Sequence, residues 1–121
     1  MTRSAGHSTA IRAKKVLGTS VKNRRGKKIG EIEDIVLDKQ SNNIMFAIVS
    51  FGGFLGLGEK YHPLPWAALD YDEQSDGYIV DVSEETLRCA PAGSIEELTR
   101  VDANALRDQT YSYYRVNPYW H

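Results

Sequence analysis

A glycine-rich segment followed by a lysine lies near the middle of the sequence and raises the possibility of phosphate binding. The stretch SFGGFLGLGEKYHPLPW covers residues 50–66 and has four glycines before Lys60. A phosphate-binding loop needs Gly-Lys-Ser/Thr and then a helix whose N–H groups face the anion. Here Glu59 precedes the lysine, and Pro63 and Pro65 exclude a helix at that point. The segment therefore does not have the pattern of a phosphate site.

Apolar side chains alternate with these glycines and suggest a structural role. Glycine permits sharp turns where a Cβ atom would clash, so we interpret the segment as a loop that closes a small barrel between its third and fourth strands. Its apolar residues predict a surface for a partner or for a second copy of the chain. They are Phe51, Phe54, Leu55 and Leu57.

Residues able to bind metal or act as nucleophiles are few and scattered. The histidines are His7, His62 and His121, and no HxH, HxxxH or CxxC pair occurs, which predicts no preformed metal site. The single cysteine, Cys89, lies near the end of a predicted helix, where a buried structural thiol is favoured over a reactive one. No nucleophile can be matched with a base. We therefore predict no enzymatic activity, no cofactor and no small-molecule substrate.

A dense acidic run could hold a cation or transfer protons. It consists of Glu31, Glu33, Asp34 and Asp38. The favoured interpretation is a solvated strand face opposite a basic turn, where the charges help to set the register of the hairpin.

Short segments rich in apolar residues, separated by turns, predict five strands, at residues 15–21, 28–38, 44–51, 60–64 and 78–82. Asn23 to Gly26 has the composition of a hairpin turn, and the spacing of Ile32 and Ile35 predicts a β-bulge near Glu33 and Asp34. The third strand is apolar on both faces. The barrel interior can cover one face, and a C-terminal helix, a second subunit or a partner must cover the other.

The fold class predicted from these elements is all-β, a small antiparallel barrel of five to six strands with short C-terminal helices. Ser83 and Ser94 have the pattern of helix N-caps. We divide the chain into a disordered N-terminus (residues 1–12), a barrel domain (13–91) and a helical and aromatic extension (92–121). The extension carries Tyr113, Tyr114, Tyr119 and Trp120, which form either a binding platform or a cover over a barrel edge or a dimer interface.

Charge is unevenly distributed along the chain. Of the fifteen basic residues, nine precede the first acidic residue, Glu31, although the net charge is only −1. The basic turn, defined as Arg24, Arg25, Lys27 and Lys28, is a candidate surface for an anionic partner. The alternative is that the basic and acidic parts meet within the fold and neutralise each other.

The chain resembles the PRC-barrel domain family from about Val16 to Cys89. The resemblance rests on GKKIGEIEDIVLD, on IMFAIVSFGGFLGLGEKYHPLPW and on DGYIVDVSEETLRCAP. It implies a small β-barrel that binds other proteins, as in the photosynthetic reaction-centre H subunit and the ribosome maturation factor of bacteria.

The resulting functional prediction is a non-enzymatic interaction module, a homodimeric adaptor or scaffold in the bacterial cytoplasm. The alternative is a module that binds RNA or the ribosome through the basic turn. No apolar run is long enough for a transmembrane helix, and one cysteine cannot form an intrachain disulfide, which favours a reducing compartment.

Overall fold

One curled sheet of six strands dominates the computed structural model, which describes residues 9–51, 60–100 and 103–120. The strands are β1 (Ser20–Lys22), β2 (Lys28–Leu37), β3 (Ile44–Ser50), β4 (Tyr61–Pro65), β5 (Leu69–Asp72) and β6 (Gly77–Val80). Their order across the sheet is β4-β3-β2-β1-β6-β5. The mainly β fold of the prediction is confirmed. The antiparallel arrangement is wrong for one pair, because β1 and β6 run parallel.

The sheet curls so strongly that its two edges lie close together. The edge strands β4 and β5 are joined by the 3₁₀ turn Trp66–Ala68 alone. Such a short connection spans at most about 14 Å, whereas six flat strands would place the edges about 24 Å apart. The connection therefore requires a half-barrel. Strand β5 continues in the same direction as β4. Strand β6 is antiparallel to β5 and therefore runs parallel to β1.

Local signals in the first hairpin act as the sequence predicts. Gly26 has φ +84°, and the Asn23 side-chain oxygen accepts hydrogen bonds from the N–H groups of Arg25 and Lys27, both at 3.0 Å. The register of β2 against β3 shifts between Ile32 and Asp34, which confirms the predicted bulge. The strand can bend at this point because the extra residue interrupts the ladder.

The inner face of the sheet forms the main core. Fully buried aliphatic residues from five strands meet there, and each buries enough apolar surface to stabilise the fold by about 1.5–3 kcal/mol. They include Val21, Ile32, Val49, Leu64 and Val80. Pro63 and Pro65 lie in β4 at the sheet edge, where no second neighbouring strand needs the N–H that proline lacks.

Four helices accompany the sheet in the described residues: α1 (Ala13–Val16), α2 (Glu84–Arg88), α3 (Ile95–Leu98) and α4 (Ala103–Tyr114). The N-caps Ser83 and Ser94 are confirmed, and Ser94 forms a capping box with Glu97. The strand predicted for residues 15–21 is wrong over its first part. Good helix formers there make α1, and Gly18 at φ +83° ends it before β1.

Helix α4 and strand β5 are absent from the sequence prediction. Helix α4 contributes to the cover of the outer side of the sheet, where Tyr111 and Leu106 join a second apolar cluster with Met45 and Phe46 of β3. Of the three possible covers for the apolar third strand, the structure shows the C-terminal helix. The chain itself therefore buries this face.

Candidate interaction surface

The basic turn connects β1 to β2 and lies in solvent. Two of its cations are paired with acids of the same chain: Arg24 Nε lies 3.2 Å from Asp81 Oδ2, and Lys28 Nζ lies 2.8 Å from Glu31 Oε1. These pairs are exposed and stabilise the fold little. They do reduce the positive charge available to an anionic partner. The acidic run is expected from the sequence to face the basic turn, and the contact between Glu31 and Lys28 agrees with this expectation.

A cleft of about 220 Å³ opens beside this turn. Arg25 and Lys27 contribute cationic side chains, and Ile29, Val82 and Leu87 contribute apolar ones, in a lining completed by Asn23 and Glu84. The cleft mixes both charges with apolar surface. It does not have the set of converging donors that binding of a small anion requires.

The aromatic tail folds back onto the second apolar cluster. Trp120 packs edge-on against Tyr111 with 4.8 Å between ring centroids, and Tyr119 packs against Trp120 at 5.0 Å. Tyr111 donates a hydrogen bond of 2.7 Å to the carbonyl of Met45 in β3, and burial raises its pKa to about 12. Tyr119 and Trp120 are therefore part of the fold as well as half-exposed surface.

Asp38 anchors this tail, and its predicted position on a solvated face is wrong. Its carboxylate is 6% exposed and accepts a 2.7 Å hydrogen bond from the Tyr119 hydroxyl. This bond holds the pKa of Asp38 below its ordinary value, although burial opposes the effect. Arg107 Nη1 lies 3.8 Å from the same carboxylate, and the Arg107 guanidinium stacks 3.8 Å over the ring of Trp120. We call Asp38, Arg107, Tyr119 and Trp120 the tail lock.

The remaining predicted surface residues divide into three groups. Phe51 is 4% exposed in the main core, so its prediction as a partner contact is wrong. Phe54, Leu55 and Leu57 lie outside the described residues, as do the four glycines of the segment. Tyr113 and Tyr114 are half-buried on α4. The Tyr113 hydroxyl donates to the Thr86 carbonyl at 2.6 Å, which ties α4 to α2.

Cys89 is exposed, so the prediction of a buried thiol is wrong. It is the C-cap of the short helix α2, and its Sγ lies 3.9 Å from Glu85 Oε1.

His62 is the least exposed of the ionisable side chains within the described residues. It is 2% exposed, packs edge-on against Phe51, and its Nδ1 has no hydrogen-bond partner. Burial lowers the pKa of His62 below its ordinary value, and the charge of Lys60 adds to the effect. The imidazole is therefore held neutral inside the barrel.

This environment predicts that His62 weakens the fold in mild acid. Because its folded pKa is depressed, the unfolded chain takes up a proton first as pH falls below about 6.5. The free energy of unfolding should then fall by at most about 1.4 kcal/mol per pH unit, until pH passes the folded pKa. Denaturant titrations between pH 7.5 and 5 would measure this for the wild type and His62→Leu. A parallel pH dependence in the two proteins would contradict the assignment.

The described residues contain no group of three or more His, Cys, Asp or Glu placed to hold a metal ion. Within the same ranges, no helix has the length and apolar character needed to cross a membrane.

Comparison with known families decides the assignment. The family model described as PRC-barrel domain matches residues 8–87 of this chain. The chain belongs to the PRC-barrel family. The match confirms the resemblance read from the sequence and contains all six strands of the half-barrel. No curated protein sequence matches the chain.

The PRC-barrel match also separates the chain into two parts. It ends within α2, so Arg107 of α4 and the tail residues Tyr119 and Trp120 lie beyond it. The tail lock therefore joins an element outside the family match to Asp38 on the barrel. Two of its members could be noticed in the sequence as tail aromatics, but nothing local connects them with Asp38.

Proposed function

We propose that this PRC barrel is a non-enzymatic protein-interaction module that acts as a homodimeric adaptor or scaffold. PRC-barrel domains are a family of protein-interaction modules, which supports the first part. The observation that carries the dimer is the exposure of large apolar side chains that nothing in the described part of the chain covers. They are Ile11, Leu17, Leu37 and Tyr71, each 42–64% exposed.

The position of these side chains changes the reason for expecting a partner. From the sequence, the unburied face of the third strand and the aromatic tail suggest a dimer. In the structure, α4 and the tail lock bury that face. The apolar surface left over lies elsewhere, on the segment around α1, on the end of β2 and on β5. A partner would have to bind there.

The proposal includes a location in the bacterial cytoplasm. The exposed, unpaired thiol of Cys89 supports it, because a reducing compartment keeps such thiols free of disulfide exchange.

Solution mass tests the homodimer directly. We expect sedimentation velocity at 1–100 µM to show a species of twice the 13.6 kDa chain mass, in equilibrium with the monomer at the lower concentrations. A 13.6 kDa species at every concentration would contradict the homodimer. A monomer that copurifies with RNA, and loses it on nuclease treatment or in moderate salt, would instead favour the alternative of RNA binding through the basic turn.

A further inference from the structure

We infer that the contact between two copies of this chain joins the segment around α1 to the hairpin of β5 and β6. This inference rests on the proposed homodimer and names its surface. We call residues 11–17 the basic arm and residues 70–76 the acidic hairpin.

The basic arm combines exposed apolar and cationic side chains, and Val16 is its one buried residue. Ile11 is 44% and Leu17 is 43% exposed at its two ends. Arg12, Lys14 and Lys15 lie between them, are exposed, and form no ion pair within the described parts of the chain. Residues 9–17 contain no acid. The arm thus differs from the basic turn, whose Arg24 and Lys28 are paired with acids of the same chain.

The acidic hairpin is the opposite of the arm in charge and also contains an exposed apolar group. It carries four acids and no base: Asp70, Asp72, Glu73 and Asp76. Tyr71 is 42% exposed among them. Its hydroxyl donates to Asp76 Oδ1 at 3.1 Å, and its ring packs edge-on against Tyr78 at 5.2 Å. The ring is therefore held in a fixed orientation at the sheet edge, where little entropy is lost on binding.

The two surfaces complement each other in charge and in apolar content. Three cations of the arm would meet four acids of the hairpin, and Ile11 and Leu17 would pack near Tyr71. Three of the four exposed large apolar side chains in the described residues lie on these two surfaces. The fourth, Leu37, ends β2 and is outside this contact.

A two-fold axis allows both surfaces of each copy to be used at once. The arm of one copy binds the hairpin of the other, and the same contact occurs a second time with the roles exchanged. Both surfaces are buried in this arrangement, and the dimer is closed. An anionic membrane would also attract the basic arm, but it would leave Tyr71 uncovered and repel the acidic hairpin. A second copy explains both surfaces.

Charge reversal on either surface tests this contact. Lys14→Glu/Lys15→Glu makes both surfaces of a copy acidic, and Asp70→Lys/Glu73→Lys leaves the hairpin with no net charge, because Asp72 and Asp76 remain. In the first variant alone, like charges would face each other, and in the second the cations of the arm would lose their opposite charge. We expect at least a tenfold weaker dimer of each by sedimentation velocity. An equimolar mixture should restore association, because the mixed dimer keeps one unaltered contact, between the hairpin of the first variant and the arm of the second. Arg25→Glu/Lys27→Glu, on the basic turn, should leave the dimer unchanged.

The outcomes separate this inference from the proposed function. A wild type that stays monomeric, with or without binding to phosphatidylserine vesicles, overturns both. A wild-type dimer that persists in both charge-reversal variants overturns only the inference, as does a mixture that stays monomeric. Thermal melting of each variant shows whether it folds. If one does not, the uncharged variant Lys14→Gln/Lys15→Gln is used in its place and should show a smaller loss of dimer affinity. Raising the salt concentration should weaken the wild-type dimer in the same way, because salt screens the same charges.

Discussion

Deletion of residues 117–121 is expected to lower the free energy of unfolding by about 3 kcal/mol or more. The deletion removes Tyr119 and Trp120 while Asp38 and Arg107 stay buried beneath them. Asp38 loses its 2.7 Å hydrogen bond, and Arg107 loses the ring that stacks on it. The Tyr111 ring becomes uncovered as well. Urea denaturation of the full chain and of the truncated chain would measure the difference.

Two controls identify the tail lock as the cause. A chain that ends at Trp120 should unfold as the full chain does. Tyr119→Phe removes only the hydroxyl and should cost about 1.5–3 kcal/mol, because the bond is made to a charged acceptor. This bond lowers the pKa of Asp38 in the folded protein. The destabilisation by Tyr119→Phe should therefore be fully present above about pH 4 and should shrink as pH falls through that lowered pKa. A truncation that costs less than about 1 kcal/mol would show that the tail lock contributes little to stability.

Substitution of Gly30 by alanine is expected to destabilise the barrel by about 3 kcal/mol. Gly30 lies on β2 where the chain passes close to the end of β3. A Cβ atom there would overlap the backbone carbonyl of Ser50 and lie 2.9 Å from the Phe51 ring. The backbone contact cannot be relieved by a side-chain rotation, so the two strands would have to separate. Circular dichroism melting of Gly30→Ala would show the loss as a lower Tm.

Gly93→Ala is the matched control for this substitution. The three atoms nearest to its Cβ would all belong to the Glu97 side chain, at 3.3–3.5 Å, so a shift of a few tenths of an ångström within the capping box would be enough. We expect a change of less than about 0.5 kcal/mol at this position. Equal effects at Gly30 and Gly93 would indicate that the close approach of β2 and β3 is not what limits stability.

Features determined by neighbouring residues could be predicted from the sequence. The turn at Gly26, the bulge after Ile32 and the capping box of Ser94 each depend on a few adjacent residues. Helix α4 also has a local signal. Leu106, Thr110 and Tyr114 are spaced as on one face of a helix, and all three are at least partly buried. The sequence prediction missed this helix because it considered the aromatic residues as a tail rather than by their spacing.

Features determined by distant residues could not be predicted in this way. Asp38 and Tyr119 are 81 positions apart, and each alone has an ordinary surface interpretation. Only the fold of α4 across the sheet brings them together. The predictions that Asp38 lies on a solvated face and that Phe51 contacts a partner are both wrong for this reason. Burial depends on which elements cover a strand, and that is a property of the whole chain.

The parallel seam between β1 and β6 has a consequence for how the barrel forms. Val21 pairs with Tyr78, whereas β2, β3 and β4 pair with strands close to them in the sequence. Bringing Val21 and Tyr78 together closes a long loop, and the loss of chain entropy comes before the contacts that offset it. The seam should therefore form after the barrier to folding, so that Val21→Ala speeds unfolding and leaves the folding rate nearly unchanged. Stopped-flow kinetics in denaturant would measure both rates, and a slower folding limb would place the seam in the folding nucleus instead.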